Sequence, residues 1–139
     1  MSFLDTKQAL LTKLLATTIT GITATDISYE NGDFDPKGKD KFIAAYFIPA
    51  TSDTTGKQLG AMQTHRGIFQ VSVFVKLNSN AYDNDQLQIV DDILTGFQYN
   101  STAVYNAQTT NILESSVNSG SENDAWFKRD VSIDYLTII

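Results

Sequence analysis

The chain has 139 residues, 42% hydrophobic and 19% charged, which describes a folded domain with one core and excludes wholesale disorder. Cysteine is absent, so disulfides and thiolate metal sites are excluded, and a reducing cytoplasm fits. Sixteen acidic against ten basic residues give a net charge of −6, which disfavours sequence-independent binding to phosphate backbones.

The N-terminus, Met1 to Lys7, lacks the basic start and apolar run of a signal peptide. No apolar stretch approaches the ~20 residues that cross a bilayer. The protein is therefore expected to be soluble, used inside a cell and without a membrane partner.

Residues 2–19 read as an amphipathic helix. Ser2 is placed to cap it, Asp5 suits its first turn, and Phe3, Leu10, Leu11, Leu14 and Leu15 line one face. Gly21 stops it. Asp26 to Tyr29 read as a short strand before the turn signal Asn31-Gly32. Phe42 to Ile48, apolar on both faces, read as a central strand ended by Pro49, which has no amide hydrogen for a ladder. Lys37, Lys39 and Lys41 cluster before it but are interleaved with Asp33, Asp35 and Asp40, as in a solvated turn of mixed charge.

The polar stretch Pro49 to Arg66 is long for a loop in a compact domain, and loops of this length are commonly functional or disordered. If its halves pair as a hairpin arm, it reaches roughly 30 Å at about 3.3 Å per residue. Ile68 to Leu77 form the clearest strand: Phe69, Val71, Val73, Val75 and Leu77 face the core, and Ile68, Gln70, Ser72, Phe74 and Lys76 face away. Phe74 is the exception on that outer face, where a helix or a partner is expected to cover it.

A second helix is expected over 83–96, after capping residues in 80–85. Leu87, Val90, Ile93, Leu94 and Phe97 form its buried stripe, with Asp91 and Asp92 outside. A tract rich in Ser, Thr and Asn follows from Tyr99 to Asp124, holding one weak strand, Asn111 to Val117. The last strand runs from Trp126 to Ile138, with Val131, Ile133 and Tyr135 inward and Asp130, Ser132 and Asp134 outward. The fold class is α+β: a single domain of mostly antiparallel sheet packed by two helices, in the order α-β-β-β-α-β-β. A long loop or hairpin arm joins the second and third strands.

Candidate chemistry is sparse. His65 is the single histidine and has neither cysteine nor a Gly-x-Ser-x-Gly turn to work with, so it reads as a loop residue beside Arg66. Asp33 to Gly38 begin like a calcium loop, but Lys37 and Ala44 stand where the motif needs oxygen ligands. Asp91 and Asp92 diverge by about 100° around their helix, so they do not form a carboxylate pair. Gly56-Lys57 lacks the spacing of a phosphate-binding loop, and Asn100-Ser101-Thr102 is a chance glycosylation sequon. No catalytic residue, cofactor or metal is expected.

Several segments in order carry a resemblance: Tyr29-Glu30-Asn31 with Phe34 and Pro36, a loop holding Leu59-Gly60, and Arg66-Gly67-Ile68-Phe69-Gln70-Val71-Ser72-Val73. The ending Trp126-Phe127-Lys128-Arg129-Asp130-Val131-Ser132-Ile133-Asp134-Tyr135 completes it. Together they resemble the tail terminator, or tail completion, proteins of long-tailed bacteriophages and prophages, across roughly Phe3 to Tyr135.

The resemblance implies a virion structural protein, assembled in the bacterial host cytoplasm and placed at the head-proximal end of the tail. Copies would form a ring, usually a hexamer, that ends tube growth and meets the head neck. Its partners would be itself, the tail tube protein and a neck or stopper protein, with DNA passing through unbound. The long arm is the expected subunit contact, with Lys57, Leu59, Met62 and Arg66 as candidates and Phe74 on the sheet face. The alternatives are a neck or stopper adaptor, a tail-tube subunit or, in another class, a small ligand-binding domain or enzyme.

Overall fold

The computed structural model describes residues 3–30, 32–54, 56, 62–77, 84–123 and 125–138. Expectations for Ser2, Asn31, Lys57, Leu59 and the capping residues 80–83 lie outside them.

Helix α1 spans Phe3–Ala16 and buries Thr6, Ala9, Leu10 and Leu14, a stripe at three- and four-residue spacing. That stripe is turned from the expected one, so Phe3 and Leu15 are exposed and Leu11 is half-buried. The helix stops short of residue 19 because the Thr17 hydroxyl donates back to the Lys13 carbonyl, and Gly21 at φ 78° turns the chain. A 3-10 turn, Ala24–Asp26, follows, with the Thr23 amide donating to the Asp26 carboxylate.

The sheet has strands β1 (Ile27–Tyr29), β2 (Lys41–Thr54), β3 (Gln63–Lys76), β4 (Thr102–Tyr105), β5 (Gln108–Val117), β6 (Ser121–Asn123) and β7 (Trp126–Ile138). Its order is β1-β2-β3-β7-β5-β4, and β6 pairs with the start of β7. Every pairing is antiparallel except β1 with β2. Helix α2 (Asn84–Gly96) lies with α1 on the inner face. The core between these layers holds Ile43, Phe69, Val71, Val73, Ile112, Val131, Ile133 and Tyr135 from the strands, and Leu10, Leu14, Ile89 and Ile93 from the helices.

Pro49 does not end β2. The strand continues to Thr54, with a register shift between Pro49 and Thr51 that leaves Ala50 without a partner. Proline is tolerated there because β1 pairs only with Ile43 to Ala45, so the far half of β2 is a sheet edge. The stretch read as a loop is thus largely a hairpin, with Thr51 opposite Arg66 and Thr54 opposite Gln63. β7 runs beside it as far as Thr64 opposite Ile138. β7 stops opposite Thr64, so Thr54 and Gln63 form the described pair beyond its end, and the reach of the arm lies outside the described residues.

The tract read as polar from Tyr99 to Asp124 is also more ordered, over its described residues 99–123, than its composition suggests. β4 and β5 form a two-residue hairpin whose turn residues, Asn106 and Ala107, have φ of 49° and 64°. That is the left-handed pair a type I′ turn requires, but alanine replaces the glycine that would have announced it. Buried polar groups tie the hairpin down, since the Gln108 amide donates to the hydroxyls of Thr6 in α1 and Thr137 in β7. Similarly, buried Gln86 of α2 donates to the carbonyls of Val73 (3.1 Å) and Phe127 (2.9 Å) and accepts from Arg129 Nε (3.1 Å). One helical side chain therefore clamps β3 and β7 together.

Leu87, expected in the buried stripe of α2, is 38% exposed. Gln86 occupies the inward position instead, because its three hydrogen bonds satisfy an otherwise costly buried amide.

Candidate assembly surfaces

The strand alternation that fills the core also fixes what the outer face carries. Register places Phe42 opposite Phe74, and Phe74 opposite Lys128. The Phe42 and Phe74 rings stack at 4.5 Å and 8°, with Trp126 edge-on to Phe42 at 4.9 Å and Phe34 tilted against it at 5.1 Å. This aromatic cluster is flanked by cations, Lys128 over Phe74 and Lys39 over Phe34, each 5.9 Å from the ring centre. Phe42 is buried within it, whereas Phe34, Phe74 and Trp126 stay half-exposed. No described helix of the chain covers Phe74.

Beside the cluster lies a groove of about 320 Å³ walled by the 35–40 turn, Lys76 and Trp126. Lys39 Nζ sits 2.7 Å from Asp26 Oδ1 in that region. This hydrogen bond, with that from the Thr23 amide, holds the Asp26 carboxyl below the usual carboxylate range. Further along the face, Ser72 donates to Asp130 Oδ1 at 2.6 Å and the Asn118 amide to Asp130 Oδ2 at 3.0 Å, which pins β3, β7 and the loop after β5. These outer-face polar residues are spent on structure.

The hairpin end is the second surface. Met62 is 58% exposed there, and Arg66 is exposed on the same outer face as Phe74, four residues from it in face order by strand alternation. Thus two of the five candidates, Arg66 and Phe74, share one sheet face from opposite ends, and Met62 sits at the hairpin end. Lys57 and Leu59 lie outside the described residues.

His65 corrects the sequence reading. It is a buried residue of β3, not a loop residue, because β3 is paired there with β2 on one side and β7 on the other. Its Nδ1 bonds Ser52 Oγ across the hairpin, and the Phe3 ring meets it edge-on at 5.0 Å. Among the described residues no acid is bonded to it, so the pair has no third member of a triad there. Among the described residues no cluster of His, Asp or Glu has the grouping of a metal site.

On the opposite side of the molecule, α2 turns outward Asn84, Asp85, Leu87, Gln88 and Asp91. Asp92 on its flank accepts from the Thr20 amide at 2.9 Å, which depresses its carboxyl and ties the loop after α1 to the helix. Leu87 was missed as a surface residue because a leucine within a helical period reads as core. The signal available was Gln86 beside it, one residue out of phase with the apolar stripe.

The described residues thus leave exposed a hairpin edge, an aromatic sheet face that the two helices do not cover and the acidic outer side of α2. The sequence matches the phage tail terminator protein family over residues 6–135, and the chain belongs to that family. It is accordingly a structural component of a phage tail that associates with other tail components. No curated protein matches it. Its fold is similar to that of 21 solved chains; one is 21% identical, with a TM-score of 0.76 over 99% of this chain and 96% of its own.

Proposed function

We propose that copies of this chain close into a ring, a hexamer, on the head-proximal end of the tail tube, where the ring ends tube polymerisation and offers a surface to the head neck. The observation that carries this reading is the match to the terminator family across nearly the whole chain. The hairpin β2–β3 supports it as one subunit contact, because its far edge has no strand partner among the described residues and Met62 and Arg66 are exposed along it. A ring of chains each carrying −6 suits a passage for DNA that must not stick, since like charge opposes adsorption. The whole chain acts as one tail-terminator-like domain in this reading.

The test is electron microscopy of lysates from the parent phage with this gene disrupted. Abnormally long headless tails beside filled heads are the expected result. Tails of normal length that fail to join heads would replace the terminator reading with a neck adaptor. Intact infectious particles would remove the protein from tail assembly. Deleting Thr54 to Gln63 should leave the domain folded by circular dichroism yet abolish ring formation; an unaltered ring would dismiss the hairpin contact.

A further inference from the structure

The sheet ends on two edges, and the ladder registers set their open segments at one height. On one side β1 covers β2 only at Ile43 to Ala45. Next to it the Glu30 carboxylate accepts the Phe47 amide and Pro49 has no amide hydrogen, so that part of the edge is closed to a further strand. Thr51 to Thr54 remain, exposed and paired only with β3 among the described residues. On the other side β4, four residues long, pairs only with β5 among the described residues. Followed across the ladders, Thr51 is level with Arg66, Leu136, Asn111 and Thr102, and Ser52 with His65, Thr137, Thr110 and Ala103. The open run of β2 and the whole of β4 therefore match in length, height and alternation of faces.

We infer that β4 of one copy of this chain adds in parallel to Thr51–Thr54 of the next, so that the sheet continues from subunit to subunit. Four successive antiparallel pairings leave β2 and β4 running the same way. A rotation about an axis along the strands, with no rise, then brings the two edges together, and such a heterologous contact closes into a ring. Phe47 turns its amide to the edge, and the register shift after Pro49 passes that role to Ser52 and Thr54. On β4 the outward residues are Thr102, whose carbonyl Lys13 Nζ reaches at 3.1 Å, and Val104. With Ser52 level with Ala103, the Ser52 amide donates to the Thr102 carbonyl, the Val104 amide to the Ser52 carbonyl and the Thr54 amide to the Val104 carbonyl. The Thr102 oxygen has a second lone pair beside the one Lys13 uses. The edges are also stepped to fit, since β1 stands out only at the height of Ile43 to Ala45, where the opposite edge has no β4. Asp53 is the single charge in either segment, so the contact sets no acid against another. The inference rests on the ring reading and gives the open hairpin edge its partner.

The test uses the full chain, alone and on purified tail tubes, and exploits its lack of cysteine. Thr51→Cys/Thr102→Cys places two thiols in one row of the outer face. Within one chain these positions are four strand spacings apart, roughly 19 Å at about 4.8 Å each, too far for a disulfide. Oxidation should therefore join neighbours and give a ladder beyond the dimer on a non-reducing gel, with dimers at most from either single variant. Asp53→Cys/Val104→Cys, two residues along the same face, should do the same. Val104→Pro removes the amide that meets Ser52 and, by the alternation, costs no ladder bond inside the chain. It should keep the circular dichroism of the parent and weaken oligomers at least tenfold by native mass spectrometry, whereas Val104→Ala should not. Rings that form without a ladder from either pair, or that ignore Val104→Pro, overturn the strand pairing and leave the ring standing. A chain that stays monomeric both alone and on tubes overturns both.

Discussion

Replacing Gln86 tests what holds α2 on the sheet. Gln86→Leu keeps nearly the same volume but removes two donors and one acceptor, leaving the carbonyls of Val73 and Phe127 and the Arg129 Nε–H without this partner. An unsatisfied buried group costs about 1–3 kcal/mol. Arg129 keeps its bond to the Asn118 carbonyl, and the leucine gains some apolar burial. A net loss of about 3 kcal/mol is therefore expected rather than the sum of three full penalties. With a urea m value of about 2 kcal/mol/M, the midpoint should fall by roughly 1.5 M at unchanged m. Gln86→Glu separates the parts: it retains an acceptor for Arg129 but loses both donors to the carbonyls, and should fall less than Gln86→Ala, which also opens a cavity. A Gln86→Leu midpoint within experimental error of wild type would refute the clamp and show that α2 is held by Ile89, Val90 and Ile93 alone.

Three further perturbations follow from single contacts. A Cβ at Gly67 would stand 2.5 Å from both the Ile48 carbonyl oxygen and the Tyr135 hydroxyl, so Gly67→Ala should destabilise by about 1–3 kcal/mol in chemical denaturation. The Tyr135 hydroxyl is buried without a bond, and burial pushes its pKa up to about 12; Tyr135→Phe should therefore be neutral or stabilising by up to about 1 kcal/mol and should soften the Gly67→Ala penalty. Ala107→Gly should raise stability by about 0.5 kcal/mol, because relief of a left-handed alanine outweighs the added chain entropy, and thermal melting would show it. Asp26 titrates below its usual 3.8 in the folded state, so its contribution is present above that value and is lost as pH falls through the lower folded pKa; Asp26→Asn should flatten the stability profile in that acid window.

Much of the fold was legible locally. The alternation in Ile68 to Leu77 and in Trp126 to Ile138 assigned the inner residues of β3 and β7 correctly, because a strand with one buried face must repeat every two residues. Two of the segments carrying the family resemblance, Arg66 to Val73 and Trp126 to Tyr135, lie in these same strands. The β4–β5 hairpin was hidden by Ala107, which takes a backbone conformation that alanine gives no reason to expect. Its polar residues looked like loop because Gln108, Thr110 and Thr137 are buried, with the Gln108 amide bonding Thr6, 102 residues away in the chain.

The candidate surfaces divide the same way. Phe74 stood out in the sequence as an aromatic residue on a polar face, since the period alone sets which way it points. That it stacks on Phe42 and joins Trp126 depends on a register between strands distant in the chain. His65 and Pro49 were misjudged because pairing partners, not their own propensities, decide whether a polar stretch is loop or strand. Composition and periodicity by themselves determined the layers, the core positions of β3 and β7 and the acidic charge. Only the tertiary structure decided which edge lies open, which helix position Gln86 claims from Leu87 and which aromatic rings meet, because each of these is a contact between residues far apart in sequence.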